Sequence, residues 1–301
     1  MSENWTTRAE GGAMPVLRFY TWFVQRIGRT LARLTLLPVA LYFFIVRGPE
    51  RRESRRFLDR ALRRPATLLD IWKNFWTFSL STLDRVYLLA DDKPRLDVTS
   101  QDVELLGAVM DEGNGCILVG SHLGSFEAAR VISRQRPDVN LRIVMDRRIS
   151  PNANTLLTIL NPKLAEQIIQ PSDHRGTLAL LIGEALQTGD LVAVLGDRIV
   201  EPERFVLVNF LGSKAAFPVA PFMLSIATRA PIMLFFGTFE GGRHYHVVFE
   251  PFEFDVPPRG QRDGNWMDDI VQAYADRLAH HARRAPYNWF NFYPFWQESQ
   301  T

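Results

Sequence analysis

The sequence predicts an α/β protein with a mixed, mainly parallel sheet flanked by helices, preceded by an amphipathic and apolar N-terminal segment that anchors it to a membrane. Two observations predict the sheet. From residue 115 onward, short continuous apolar runs alternate with segments of helical period, the pattern of strands covered on both faces by crossover helices. The 301 residues are 47% apolar, enough for a substantial core. The anchor is predicted by a third: arginines crowd the first 64 residues beside an uninterrupted apolar stretch.

Taken in order, residues 1–14 read as an irregular start. Over the next segment, at about 100° per residue, Arg18, Arg26, Arg29 and Arg33 fall in one narrow sector and Phe23, Ile27, Leu31 and Leu34 on the opposite side. This is a basic amphipathic helix. It runs into an apolar stretch from Leu34 to Val46, bounded by Arg33 and Arg47. At roughly 20 Å of helix that stretch is short for a hydrocarbon core of about 30 Å, so it is expected to lie on a membrane or dip into it. The division that follows is a membrane-associating segment over 1–50 and an α/β domain over 51–301. Apolar residues at helical spacing, with Trp72 and Trp76 among them, then predict one or two helices between 50 and 90.

Strands are expected at 115–120, 141–145, 191–195, 205–210, 231–237 and 244–250, with Gly241-Gly242 as a hairpin turn. Helices are expected at 125–135, 151–160, 174–187, 218–229 and 266–283. The aromatic tail from Tyr287 to Trp296 is expected to pack on the domain.

Charge and composition exclude several classes. The first 64 residues hold thirteen arginines, no lysine and five acids, about +8, while the whole chain is +2, so the remainder is acidic. A nucleic-acid-binding arm would not need large apolar residues opposite its arginines. Val46-Arg47-Gly48-Pro49-Glu50 offers no small-residue cleavage site for a signal peptide. The single cysteine, Cys116, sits in an apolar run and reads as a buried structural thiol.

In open α/β sheets functional side chains lie just past the carboxyl ends of strands. Here these are His122 and Glu127 after the first strand, Asp146, Arg147 and Arg148 after the second, and Asp197 and Arg198 after the third. His122 occupies the middle of Gly120-Ser121-His122-Leu123-Gly124, a turn of the kind that presents a nucleophilic serine in hydrolases. Residues five apart on one helix differ by about 140° and do not meet. His122 therefore belongs to the turn and Glu127 to the first helical turn after a Ser125 N-cap, where the helix dipole favours a carboxylate. The pair has the form of a general base and the acid that orients it. No protein nucleophile accompanies it, so His122 would take a proton directly from a substrate hydroxyl that attacks an activated carbonyl. His244 and His246 share a strand face without an evident third metal ligand; they, His174 and His280-His281 read as structural.

Histidine, four residues, then an acid, after a strand and behind an arginine-rich apolar anchor, resembles the glycerolipid and lysophospholipid acyltransferase superfamily. Within it, Gly120-Ser121-His122-Leu123-Gly124-Ser125-Phe126-Glu127 is most similar to the bacterial lipid A late acyltransferases. The likeness extends through Pro151-Asn152, Gly196-Asp197-Arg198, Phe210 to Pro218, and Ala285 to Phe290. It implies O-acyl transfer from acyl carrier protein or coenzyme A on the cytoplasmic face of a bacterial inner membrane, without a metal or other cofactor and without nucleic acid. His122 becomes the base and Glu127 its partner. Arg147 or Arg148 becomes a contact for carbonyl or phosphate, and Asp197 with Arg198 a supporting or acceptor-site pair. Ser125-Phe126 replaces the usual Asn-Trp, and Tyr287-Asn288 replaces the usual Glu-Gln near the C-terminal tryptophan. The acceptor class is thereby open between a lipid A-type glycolipid and a lipid-linked pigment such as an aryl polyene. Two other classes are compatible with the residues: a serine esterase or thioesterase using Ser121 or Ser125, and a catalytically silent lipid-binding membrane protein.

Overall fold

The structure is a computed structural model that describes residues 14–90, 96–111, 113, 115–130, 140–146, 151–170, 175–199, 204–261 and 265–297. It opens with helices α1 (Met14–Ile27) and α2 (Arg29–Val46), followed by α3 (Gly48–Leu62) and α4 (Leu68–Leu89). A capping box starts α4: the Thr67 hydroxyl accepts the Asp70 N–H, and the Asp70 carboxylate accepts the Thr67 N–H. Arg64 and the Tyr287 hydroxyl also donate to Asp70; Arg64 first, then Thr67, with a smaller part from Tyr287, hold its carboxyl far below the usual range.

Seven strands form the main sheet: β1 (Asp97–Gln101), β2 (Cys116–Gly120), β3 (Leu141–Val144), β4 (Ile168–Ile169), β5 (Leu191–Leu195), β8 (Ile232–Gly241) and β9 (His244–Phe252). Their order is β1-β9-β8-β2-β5-β3-β4. Every neighbouring pair is parallel except β8 with β9, joined through Gly241-Gly242. The expected sheet and hairpin turn are therefore present. Strands β6 (Phe205–Phe210) and β7 (Ser213–Pro218) stand apart as an antiparallel hairpin.

Alternate strand residues feed two cores. Ile117, Val119, Val192, Val194, Leu234 and Phe236 meet α3, the hairpin and the tail, together with α6 (Arg175–Gln187) and α7 (Trp266–Arg284). Cys116, Leu118, Leu191, Ala193, Met233 and Phe235 face the other way, onto α1, α2 and α5 (Val103–Asp111). Helix α4 serves both: Ile71 and Phe75 lie in the first core, Leu83, Val86 and Tyr87 in the second. The aromatic tail packs as expected, with Trp289, Phe295 and Trp296 buried and Trp296 Nε1 donating to Phe210 O at 2.9 Å.

The N-terminal reading needs correction in two respects. Gly28, at φ 80°, separates α1 from α2, so the four arginines do not share one continuous basic face. Arg29 turns inward, donating to Asp84 of α4 through Nε at 2.6 Å and Nη2 at 2.7 Å, and to Gly242 O through Nη1 at 2.6 Å. The Tyr245 hydroxyl completes Asp84 at 3.0 Å. The apolar helix also begins earlier than the apolar run, at Arg29, and its 18 residues reach about 27 Å. It is the one helix among the described residues long and apolar enough to cross a membrane. Ala32 and Ala40 are buried, while Leu34, Tyr42, Ile45 and Val46 are more than half exposed. Leu68 and Leu69, in the first turn of α4, are exposed as well.

Candidate active site

The sheet register assembles the site. Gly120 ends β2 and Leu195 ends β5, and the two are paired. His122 and Asp197 each lie two residues further on, so equal offsets from paired strand ends bring them together. The Gly120 carbonyl accepts from Gly196 N at 2.9 Å and from the Tyr274 hydroxyl at 3.0 Å, which fixes both strand ends. Gly124 makes the turn possible: its φ is 78°, and a Cβ there would stand 1.9 Å from Gly237 O.

Asp197 holds the histidine at two points. Its Oδ1 lies 2.8 Å from His122 Nδ1, and its Oδ2 accepts the His122 backbone N–H at 2.8 Å. Trp289 Nε1 reaches the same Oδ2 at 3.4 Å. Asp197 is fully buried, whereas the imidazole is 23% exposed. The tail closes the other side, with Phe290 N donating to His122 O at 3.0 Å and Gly124 N donating to Asn288 O at 2.7 Å. The Asn288 side chain brackets Phe239, accepting from its N–H at 2.7 Å and donating to its carbonyl at 3.1 Å.

Electrostatics set the protonation states. Burial of the imidazole, then the Arg198 charge, lowers His122 below its ordinary 6.5, with Asp197 pulling the opposite way and Arg85 adding a smaller downward push. Burial raises Asp197, but the His122 contacts and Arg198 outweigh it and leave the carboxyl below its ordinary value. The carboxylate can only accept, so the hydrogen sits on His122 Nδ1 and Nε2 keeps its lone pair for a substrate. A neutral, oriented imidazole has the form that general-base chemistry requires.

The expected partnership of His122 with Glu127 is corrected on this geometry, because Asp197 occupies Nδ1. Glu127 lies in the 3-10 turn Phe126–Arg130, which replaces the expected start of a longer helix. Its Oε2 accepts from Ser125 Oγ at 2.8 Å and its Oε1 meets Arg85 Nε at 3.0 Å. Asp197, read as a supporting or acceptor-site residue, is sealed beneath the imidazole and has no exposed surface to offer an acceptor. Arg198 stays close by, donating from Nη2 to Phe290 O at 2.9 Å and lying 5.4 Å from the Tyr293 ring. Arg147, Arg148 and His174 lie outside the described residues. Asp146 accepts from Gln170 at 3.0 Å. The serine hydroxyls are engaged elsewhere: Ser121 Oγ accepts from Leu123 N, and Ser125 Oγ donates to Glu127.

Among the remaining histidines, His246 Nδ1 bonds Thr99 Oγ1 at 3.0 Å, and buried His281 bonds Glu250 at 2.8 Å and stacks on Phe236. Among the described residues no group of three or more His, Cys, Asp or Glu side chains could hold a metal ion. Sequence reasoning missed Arg85 and Trp289. The signal for the role of Asp197 was available: it stands at the same offset from its strand end as His122 does.

The model of the family described as bacterial lipid A biosynthesis acyltransferase matches residues 68–298. A search of curated proteins gives no match.

Proposed function

From the premise that this chain belongs to the bacterial lipid A biosynthesis acyltransferase family, matched over most of its length, we propose that it moves a fatty acyl chain from a thioester to a hydroxyl of a lipid-like acceptor, with His122 as general base and Asp197 as its positioning residue. The family supplies membrane-associated acyl transfer in general. The observation that carries the finer reading is the Nδ1 contact of a mostly sheltered imidazole with a fully buried carboxylate.

In the reaction, His122 Nε2 takes the proton of the acceptor hydroxyl while its oxygen attacks the thioester carbonyl. The tetrahedral adduct expels the thiolate, and the imidazolium returns the proton to that sulfur. An ester and a free thiol result, and no water is consumed. Asp197 stabilises the imidazolium between the two steps. The donor is acyl carrier protein or coenzyme A, and the acceptor is a lipid A-type glycolipid or a lipid-linked pigment such as an aryl polyene.

The segment 1–50 presents the chain to the membrane, and the site works on the cytoplasmic face of a bacterial inner membrane. Helix α2 buries Ala32 and Ala40 and packs on α4, and its first residue is bound to Asp84. A helix tied along its length to the domain suits an interfacial position better than an independent span, with its exposed apolar face meeting lipid.

Detergent-solubilised protein, given acyl carrier protein and coenzyme A thioesters with a total bacterial lipid extract, tests this by mass spectrometry of labelled acyl chains. A new acylated lipid, absent with His122→Ala and nearly absent with Asp197→Asn, is expected. Free fatty acid that persists in His122→Ala but disappears in Ser121→Ala or Ser125→Ala would replace the proposal with a hydrolase.

A further inference from the structure

Glu127 follows the base in the motif, yet neither of its oxygens is on the imidazole. One accepts from Ser125 Oγ at 2.8 Å, and the other holds Arg85 Nε at 3.0 Å. Arg85 comes from α4, the helix that serves both cores and passes the site. Its side chain is 34% exposed, and its charge is felt at His122 alongside the larger effects of burial and Arg198.

The two cations near the base are differently disposed. Arg198 spends Nη2 on the Phe290 carbonyl and lays its guanidinium by Tyr293. Arg85 meets Glu127 through its inner nitrogen at 3.0 Å, and the planar fork carries further donors on its two Nη atoms. Glu127 makes its contacts to Ser125 and Arg85, while the ring Nδ1 of His122 is already held by Asp197. The work of Glu127 is on the arginine. When a hydroxyl attacks a thioester, negative charge develops on the carbonyl oxygen and requires fixed donors.

We propose that Arg85 is a substrate-contacting residue that offers its Nη donors to an anionic oxygen at the reaction centre, and that Glu127 with Ser125 is the positioning pair that holds it there. The inference rests on the acyl-transfer reading of the site. The anionic oxygen has two sources: the oxyanion of the tetrahedral adduct, or a phosphate carried by donor or acceptor.

The test compares Arg85→Gln, Arg85→Lys, Glu127→Gln and the Arg85→Gln/Glu127→Gln double variant. Arg85→Gln is expected to lower turnover by about 10²-fold, and Arg85→Lys to restore little, because an ammonium lacks the fork. Glu127→Gln costs less, and in the double variant it adds nothing to Arg85→Gln. A fall in kcat at constant KM assigns the oxyanion. A rise in KM that vanishes with an acyl pantetheine donor and a phosphate-free acceptor assigns the phosphate. Glu127→Gln costing the same factor in the Arg85→Gln background as in the parent overturns the proposal.

A second readout is independent of turnover. NMR titration of labelled histidines, with His122 identified by its loss in His122→Asn, is expected to show the His122 midpoint moving up in Arg85→Gln. An unmoved midpoint means that Arg85 does not face the reaction centre, and the proposal falls whatever the activities are. If the parent turns over no thioester but the midpoint moves, the acyl-transfer reading fails while the placement of Arg85 stands.

Discussion

Replacing Asp197 by asparagine separates orientation of the proposed base, His122, from binding of substrate. Asp197 receives hydrogen bonds from His122 Nδ1–H and from the His122 backbone N–H, both at 2.8 Å, and from Trp289 Nε1–H at 3.4 Å. All are donors, and a carboxylate accepts all of them. An asparagine has one accepting oxygen and one donating NH2. With the oxygen kept on the backbone N–H, the NH2 faces Nδ1, the ring takes the opposite tautomer, and Nε2 carries a hydrogen instead of a lone pair. Turned the other way, the NH2 opposes the backbone N–H in a fully buried site.

That second, productive arrangement leaves a buried donor pair unmade, about 1–3 kcal/mol, or roughly 5- to 150-fold in population. The lost carboxylate also withdraws a charge-assisted bond from the imidazolium, about another 1.5–3 kcal/mol. Together they lower kcat by on the order of 10²–10⁴-fold, the range in which a comparable aspartate-to-asparagine change acts in a Ser-His-Asp site. KM should stay within about twofold, since Asp197 is sealed from substrate. Steady-state acyl transfer measured across donor concentrations, with far-UV circular dichroism confirming the fold, decides it. A kcat within about fivefold of the parent, or a loss confined to KM, would refute the assignment of Asp197.

The other predictions concern the pH dependence and the packing. On the proposed role His122 must be neutral to accept a proton, and its pKa is held below 6.5 by burial and Arg198, so kcat/KM should be level through the neutral range and fall only as pH drops below 6.5; an acid limb above that value contradicts the burial effect. The same depressed titration makes the unfolded chain bind more protons than the native one below 6.5, so stability should decline there on acidification, as chemical denaturation across pH would show. Arg29→Ala leaves Asp84, which has no exposure, as an unpaired buried charge and should cost about 3–5 kcal/mol in denaturant unfolding. Gly124→Ala forces a Cβ against Gly237 O at 1.9 Å with φ near 78°; a loss of at least about 2–3 kcal/mol is expected, and an unchanged melting temperature would contradict the turn.

Much of the sheet was legible because its strands are continuous apolar runs: the edges of β5 and β6 fall where the runs do. The edge elements were not. Strand β1 reads Asp97-Val98-Thr99-Ser100-Gln101, half exposed and without an apolar run, and β4 is Ile168-Ile169 alone, too short to read as a strand. Strand β7, Ser213-Lys214-Ala215-Ala216-Phe217-Pro218, is polar at its start because it pairs with β6 outside the main sheet. A helical wheel carried through Gly28 places the N-terminal helix boundary wrongly, because the positive φ of Gly28 breaks the phase. Arginine composition could not reveal that Arg29 faces a buried aspartate, because Asp84 lies on a helix far along the chain.

Nearness in sequence points to Glu127 as the partner of His122, but nearness in space gives Asp197. Past the end of β2 the backbone turns through Gly124 into a short 3-10 segment, which carries Glu127 toward α4 and Arg85. The neighbouring strand is a better source of acid for a residue held just beyond a strand end. In a parallel pair, residues at equal offsets from paired positions stay close, whatever their separation in the chain. Gly120 pairs with Leu195, and two residues on, backbone N–H and ring Nδ1 of His122 both reach one carboxylate. On the proposed reading, the histidine-acid motif of this chain holds two separable devices, a base oriented across the sheet by Asp197 and an acid that holds Arg85. Substituting Asp197 should strike the proton transfer, and substituting Glu127 should strike only what Arg85 holds.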